Sequence, residues 1–250
     1  MSRTTFVLLP PSESKEPGGR LGATPGFFDD VLAMQREEVA RALARTMTGA
    51  SLDGAAKIFN ARGAILERAK VSTRQILEGS APLLAAWQRY NGVVWSHLDP
   101  ASLDDKQRGR ILVPSGLYGL SIGTDPIADF RLTMKVSLDR LGNLATFWRP
   151  MLIRVLEDMP DARLVSLLPK EHSVAIGPSD VLATKLVKVT FVRFGGEGVA
   201  GHDAKAVKGV VARRILEDGL DAVDGFRWKG WRGRFHDGQY EIRAPRHGPK

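Results

Sequence analysis

Five residues near the amino terminus, Thr5 to Leu9 (TFVLL), form an apolar run that stops at Pro10-Pro11. A run this short and this apolar reads as a strand buried on both faces, and the prolines end it because they cannot donate to a central ladder. The loop that follows, SESKEPGGRLGATPG, is polar and rich in Gly and Pro. A buried first strand opening into such a loop is the start of an α/β protein, and functional groups in that class gather at the strand's carboxyl end. The feature narrows both the fold class and the place to look for chemistry.

Further elements alternate along the chain. Phe27 to Met47 has helical spacing, with Val31, Leu32, Val39, Leu43 and Met47 near one face and Asp29 and Asp30 suited to its amino end. Residues 52–70 and 72–90 read as two more helices, with Ser72 as the second one's cap. Residues 101–109 read as a short polar helix that Ser102 caps, and Thr146 to Met159 as a helix closed by Pro160. Arg163–Leu168 and Leu186–Phe194 are β-branched enough for strands. Ala204 to Leu216 is a basic amphipathic helix. The tail reads as strand–turn–strand, with Asp237-Gly238 as a hairpin turn, and ends in a frayed basic PRHGPK. The interspersed elements predict a mixed α/β or α+β fold, with residues 1–250 as a single domain.

Lys and Arg number 36 against 28 Asp and Glu, a net charge of +8 that draws the chain toward polyanions. With no cysteine, disulfides, cysteine nucleophiles and Cys-held metal centres are excluded. The apolar start is too short for a signal peptide or a membrane span, so a soluble cytoplasmic protein is expected. The five histidines have no metal-like spacing, and G-x-x-x-x-G-K-[ST], H-E-x-x-H and G-x-S-x-G are all missing. No metal and no cofactor is expected.

Four clusters hold candidate chemistry. Ser12-Glu13-Ser14-Lys15 follows the first strand; residue types alone favour a solvated turn, and the alternative is an acid/base pair or phosphate clamp. In Pro114-Ser115-Gly116-Leu117-Tyr118-Gly119 two glycines three apart make a tight connector. It is either a buried turn or one whose N–H groups approach a phosphate, as in helix–hairpin–helix elements. Arg131, in a half-apolar segment, suits a phosphate or carboxylate, or a structural pair with Asp125 or Asp129. Lys205 and Lys208 share a helix face near an amino end, and Arg213 and Arg214 extend the charge. In the tail, Phe226, Trp228, Trp231 and Phe235 read as core, leaving Arg227, Lys229, Arg232 and Arg234 as a candidate cationic stripe.

Taken in order, VLLPPSESK, RYNGVVW (89–95), LVPSGLYGL (112–120), DPIADFRLTM (125–134), LATFWRPML (144–152), LVSLLPKEH (164–172) and HDAKAVKGVVARRIL (202–216) resemble the YaaA family of peroxide stress resistance proteins. The chain departs from the family pattern at Phe130 and His172, where tyrosine is usual, and at Gly195–Gly198. The resemblance implies one compact YaaA-like domain with a positively charged cleft, a helix–hairpin–helix-like element and binding to double-stranded DNA under oxidative stress. Carried over by residue, the cleft set is Ser12, Glu13, Lys15, Tyr90, Ser115, Tyr118, Arg131, Glu171, Lys205, Lys208 and Arg213.

Two functions are therefore expected. In the first, the protein binds DNA phosphates in a basic cleft and protects or helps repair DNA. In the second, it is an enzyme acting on a nucleotide, nucleoside or damaged base, with Glu13, Lys15 and Glu171 as acid/base groups. One concave pocket of about 300–1,000 Å³ lined by Glu13, Lys15, Arg131, Lys205 and Lys208 favours the enzyme, and cations spread along an open groove favour the DNA binder. No membrane is expected as a partner.

Overall fold

The computed structural model describes residues 3–22, 25–193 and 201–246. In chain order its first half holds β1 (Thr4–Leu8), α1 (Asp29–Thr48), α2 (Leu52–Phe59), α3 (Gly63–Leu77), β2 (Leu83–Ala85), α4 (Ala86–Arg89), α5 (Val93–Leu98), α6 (Asp105–Gly109), β3 (Ile111–Ser115) and β4 (Gly119–Ile122). There follow β5 (Pro126–Ala128), β6 (Ser137–Leu138), β7 (Gly142–Asn143), α7 (Leu144–Asp158), β8 (Ala162–Ser166), α8 (Lys170–Ser173), α9 (Asp180–Lys185), β9 (Leu186–Val192), α10 (His202–Asp218), β10 (Arg227–Trp228), β11 (Trp231–His236) and β12 (Gln239–Arg243).

Eight strands form one mixed sheet in the order β10-β11-β12-β9-β8-β1-β3-β4. The five central strands, β12 to β3, are parallel, and an antiparallel hairpin closes each edge. Val7 and Leu8 of β1 are fully buried, as expected of a strand with parallel neighbours on both sides. From β1 the chain crosses to β3 on one flank, then returns through α7 to β8 on the other. The strand order therefore reverses between β1 and β8, and a crevice opens there beyond the strands' carboxyl ends.

Gly209 lets α10 lie against α5. A Cβ there would stand 2.2 Å from the Val94 carbonyl oxygen, so no larger residue permits this approach. Asp237 and Gly238 both take positive φ, 50° and 75°, and turn β11 into β12 as predicted. Phe226 and Trp231 enter the core, but Phe235 is half exposed. No described helix is long and apolar enough to cross a membrane.

Several boundaries differ from expectation. The break expected at Val71-Ser72 falls at residues 60–62 instead, where Asn60 takes a left-handed φ of 46° and Gly63 one of 54°. Ser72 lies buried inside α3 and caps nothing, while Ser51 accepts from Gly54 N to cap α2. Residues 83–85 are a strand, not helix. Asp104, not Ser102, caps α6, in a reciprocal box with Gln107. Phe194, Gly195–Gly198 and the last four residues lie outside the described residues.

The Gly116–Gly119 connector is not part of a helix–hairpin–helix. It joins strands β3 and β4, and both glycines are buried. Trp148 covers it, with Nε1 donating to the Gly116 carbonyl at 2.9 Å. Gly119 has φ +68°, and a Cβ would meet the Trp148 ring at 2.5 Å. Gly119→Ala is therefore expected to cost about 2–3 kcal/mol, from an overpacked core and a strained backbone together. Urea unfolding measures it, and a cost within error of zero would show that Trp148 gives way freely.

Candidate functional site

The crevice between β1 and β8 holds a cavity of about 510 Å³. Three strand ends supply its polar wall. Ser12, Glu13 and Lys15 follow β1, Gly116 follows β3, and Glu171 and His172 follow β8. Ile58, Phe130, Leu132, Met134 and Val136 give it an apolar lining, and Lys57, Asn60, Arg131 and Lys135 are among its other polar groups.

Lys15 is the deepest charged group, only 6% exposed. The expected solvated turn is thus wrong at this residue. Its backbone bridges to Tyr90, which holds it inward. Its Nζ donates to the Ser12 carbonyl at 2.6 Å and lies 4.3 Å from the centre of the Phe130 ring and 5.4 Å from that of Tyr90. Among the described residues no carboxylate lies within ion-pair distance of it: Asp129 is held by Arg68 at 2.7 Å and Glu13 by Arg131 at 2.8 Å. Burial without a paired carboxylate lowers the Lys15 pKa to about 7, with Asp129 only partly opposing it.

Arg131 is tied down on both sides of the cavity mouth. Its Nε donates to the Phe59 carbonyl at 2.7 Å, and Nη2 donates to the Asn60 carbonyl and to Glu13 Oε2. It pairs with neither Asp125 nor Asp129. Asp125 instead accepts from the backbone N–H groups of Phe27 and Ile122. Opposite, Lys135 donates to Glu171 Oε2 at 2.6 Å and holds that carboxyl below its usual range. His172 Nε2 is 3.8 Å from Glu171, while its Nδ1 is buried without a hydrogen-bond partner. Burial lowers the His172 pKa, so a neutral imidazole faces the cavity.

The expected residues thus separate. Ser12, Glu13, Lys15, Gly116, Arg131 and Glu171 line one cavity. Lys205 and Lys208 stand behind Glu171, close enough to interact with it, and burial lowers Lys208 to about 8. Tyr90 lies beneath Lys15, with its phenol pushed up by burial. Ser115, Tyr118 and Gly119 belong to the covered hairpin. Ser115 Oγ accepts from Tyr118 N, and the Tyr118 hydroxyl accepts from Ala128 N at 2.8 Å. Arg213 and Arg214 border a separate hollow at the far end of α10, paired with Asp99 and Glu217 and with Asp218. The sequence reading did not select Lys57, Asn60 or Lys135, exposed polar residues without local motif. Among the described residues no group of three His, Asp or Glu side chains is placed to hold a metal.

A family model described as peroxide stress protein YaaA matches residues 6–235. A UPF0246 protein of Streptomyces coelicolor is 33% identical over 222 residues, spanning 86% of this chain and 84% of the relative. One from Caulobacter vibrioides is 30% identical over 206 residues, 75% of this chain and 78% of its own. One from Corynebacterium glutamicum is 26% identical over 212 residues, 83% of each.

Proposed function

The chain belongs to the peroxide stress protein YaaA family, and on that footing we propose that the cavity beyond β1 and β8 binds a nucleotide or damaged nucleotide and acts on it by acid–base chemistry. The observation that carries this reading is the mixed character of one concave site. Tracking phosphates needs only cations, whereas this cavity joins a buried amine, two carboxylates and a neutral imidazole to an apolar wall. Arg131, Lys57 and Lys135 at the mouth suit the phosphate. The apolar residues suit the base or sugar. Lys15 is the acid/base group, since a pKa of about 7 lets it give or take a proton near neutrality. Glu13 and Glu171 hold the cations in place and shape the field.

Binding to double-stranded DNA is the second reading, favoured by the net charge of +8. Lys57 on α2 and Lys205 on α10 would meet the backbone, and the α2–α3 hairpin, whose turn holds Arg131 through Asn60, would sit against it. Competition separates the two. A mononucleotide such as dGMP should bind the protein and displace a fluorescent duplex, with a shallow salt dependence because few phosphates are neutralised. A duplex affinity untouched by saturating dGMP, with a log–log salt slope near −0.9 for each of many phosphates, would favour an open DNA surface instead.

A further inference from the structure

Lys15 lines more than one cavity. Behind the main one lies a side compartment of about 150 Å³, bounded by Glu13, Ser14, Arg68, Ser72, Asp129 and Arg131 as well as Lys15 and Phe130. The Phe130 ring and the Glu13–Arg131 pair form the partition, and Lys15 borders both spaces. Volume at about 30 Å³ per water gives the compartment room for about five. That is enough for the small leaving or attacking group of a reaction at the amine, with Ser14 and Ser72 hydroxyls as donors.

We infer that Lys15 Nζ is a nucleophile that forms an imine with an aldehyde carried by the ligand of this cavity, of the class left when a nucleotide loses its base, an open-chain 2-deoxyribose 5-phosphate. The inference rests on the nucleotide reading above. A buried amine with one carbonyl acceptor and no ion-paired carboxylate keeps its lone pair free. The phosphate meets Arg131 and Lys57 at the mouth, which directs the aldehyde carbon inward to Nζ. Attack by the lone pair forms the C–N bond and a carbinolamine. Its hydroxyl then leaves as water with a proton given up by the nitrogen, so that aldehyde plus amine become imine plus water. No oxidant or metal is needed. Lys57 is exposed at the rim, on the side where the phosphate sits.

Borohydride capture tests this, because hydride reduces the imine to a stable secondary amine. The intact protein is incubated with free 2-deoxyribose 5-phosphate in one arm and with a duplex containing an abasic site in the other. The expected product gains the mass of the probe less one oxygen, maps to the peptide carrying Lys15, is blocked by dGMP and is lost in Lys15→Arg. Capture in the first arm alone assigns the free sugar phosphate as the source, and capture of the duplex assigns DNA. Label spread evenly over Lys57, Lys135 and other exposed lysines overturns the inference. So does absence of label in both arms while dGMP still binds, which leaves the nucleotide reading standing. Failure to bind dGMP removes that reading itself.

Discussion

Lys15→Met should give a protein that is more stable than the parent and without activity in the cavity. The side chains have nearly the same length, but methionine needs no water and no counter-charge. Lys15 titrates at about 7 in the folded chain against 10.5 in the unfolded one. Between those values the unfolded state binds more protons, so this residue makes stability rise with pH across that window. Below pH 7 both states carry the ammonium, and the folded state bears its full desolvation cost. The shift corresponds to a few kcal/mol at most, and the lost bond to the Ser12 carbonyl offsets about 1 kcal/mol of it. The variant should therefore gain about 2–4 kcal/mol at pH 6, with the gain shrinking toward pH 10. Calorimetric unfolding at both pH values measures this. A loss of stability at pH 6 would mean that Lys15 is held by interactions stronger than the burial that opposes it. Gain of stability with loss of function is what a site residue retained against folding energy predicts.

Lys15 also marks the limit of what sequence alone conveys. The polar SESK segment identifies a turn beyond β1, and the fold rule places a site there. Burial is a different matter. Phe130 and Tyr90 arrive from distant parts of the chain to enclose the amine, and nothing in the local pattern encodes their arrival. The strands β1, β8 and β9 were legible from an apolar run or β-branched content, and the helices α1, α7 and α10 from the spacing of their apolar residues. The two- and three-residue strands β2, β5, β6 and β7 carry none. Arg213 and Arg214 looked continuous with Lys205 and Lys208 because charge along a helix reads as one stripe. At 1.5 Å per residue, however, Arg213 lies about 12 Å further along the axis than Lys205, past the reach of the cavity. The Gly116–Gly119 turn misled for another reason. Its glycines are needed for close packing under Trp148, and a buried turn and a phosphate-binding one draw on the same residue.

Arg89 is the counter-case to Lys15, and its removal should be the most damaging single change to the site's frame. It is fully buried, and among the described residues it has no ion-paired carboxylate. Its guanidinium instead donates to four carbonyls. These are Gly18 and Pro82 at 2.9 Å, Ile127 at 3.3 Å and, through a short contact, Glu16. These acceptors come from the loop after Lys15, the approach to β2, and β5. Its own carbonyl accepts from Glu16 N at 2.8 Å, next to the Lys15–Tyr90 bridge. One side chain thus fastens the amino-terminal loop to the small β2–β5 sheet and fixes the height at which Lys15 enters the cavity. Unlike the amine, a guanidinium cannot shed its proton, so the fold offsets its burial with hydrogen bonds rather than neutralisation. Arg89→Met leaves those carbonyls to rehydrate or stay unpaired and should cost about 3–5 kcal/mol. Arg89→Lys should recover less than half, since a point ammonium cannot span acceptors that the planar fork reaches in three directions. Urea unfolding gives both costs, and limited proteolysis should show cleavage within residues 16–20 of the variants under conditions where the parent is intact. Full rescue by lysine would show that charge alone, and not the fork, holds the loop in place.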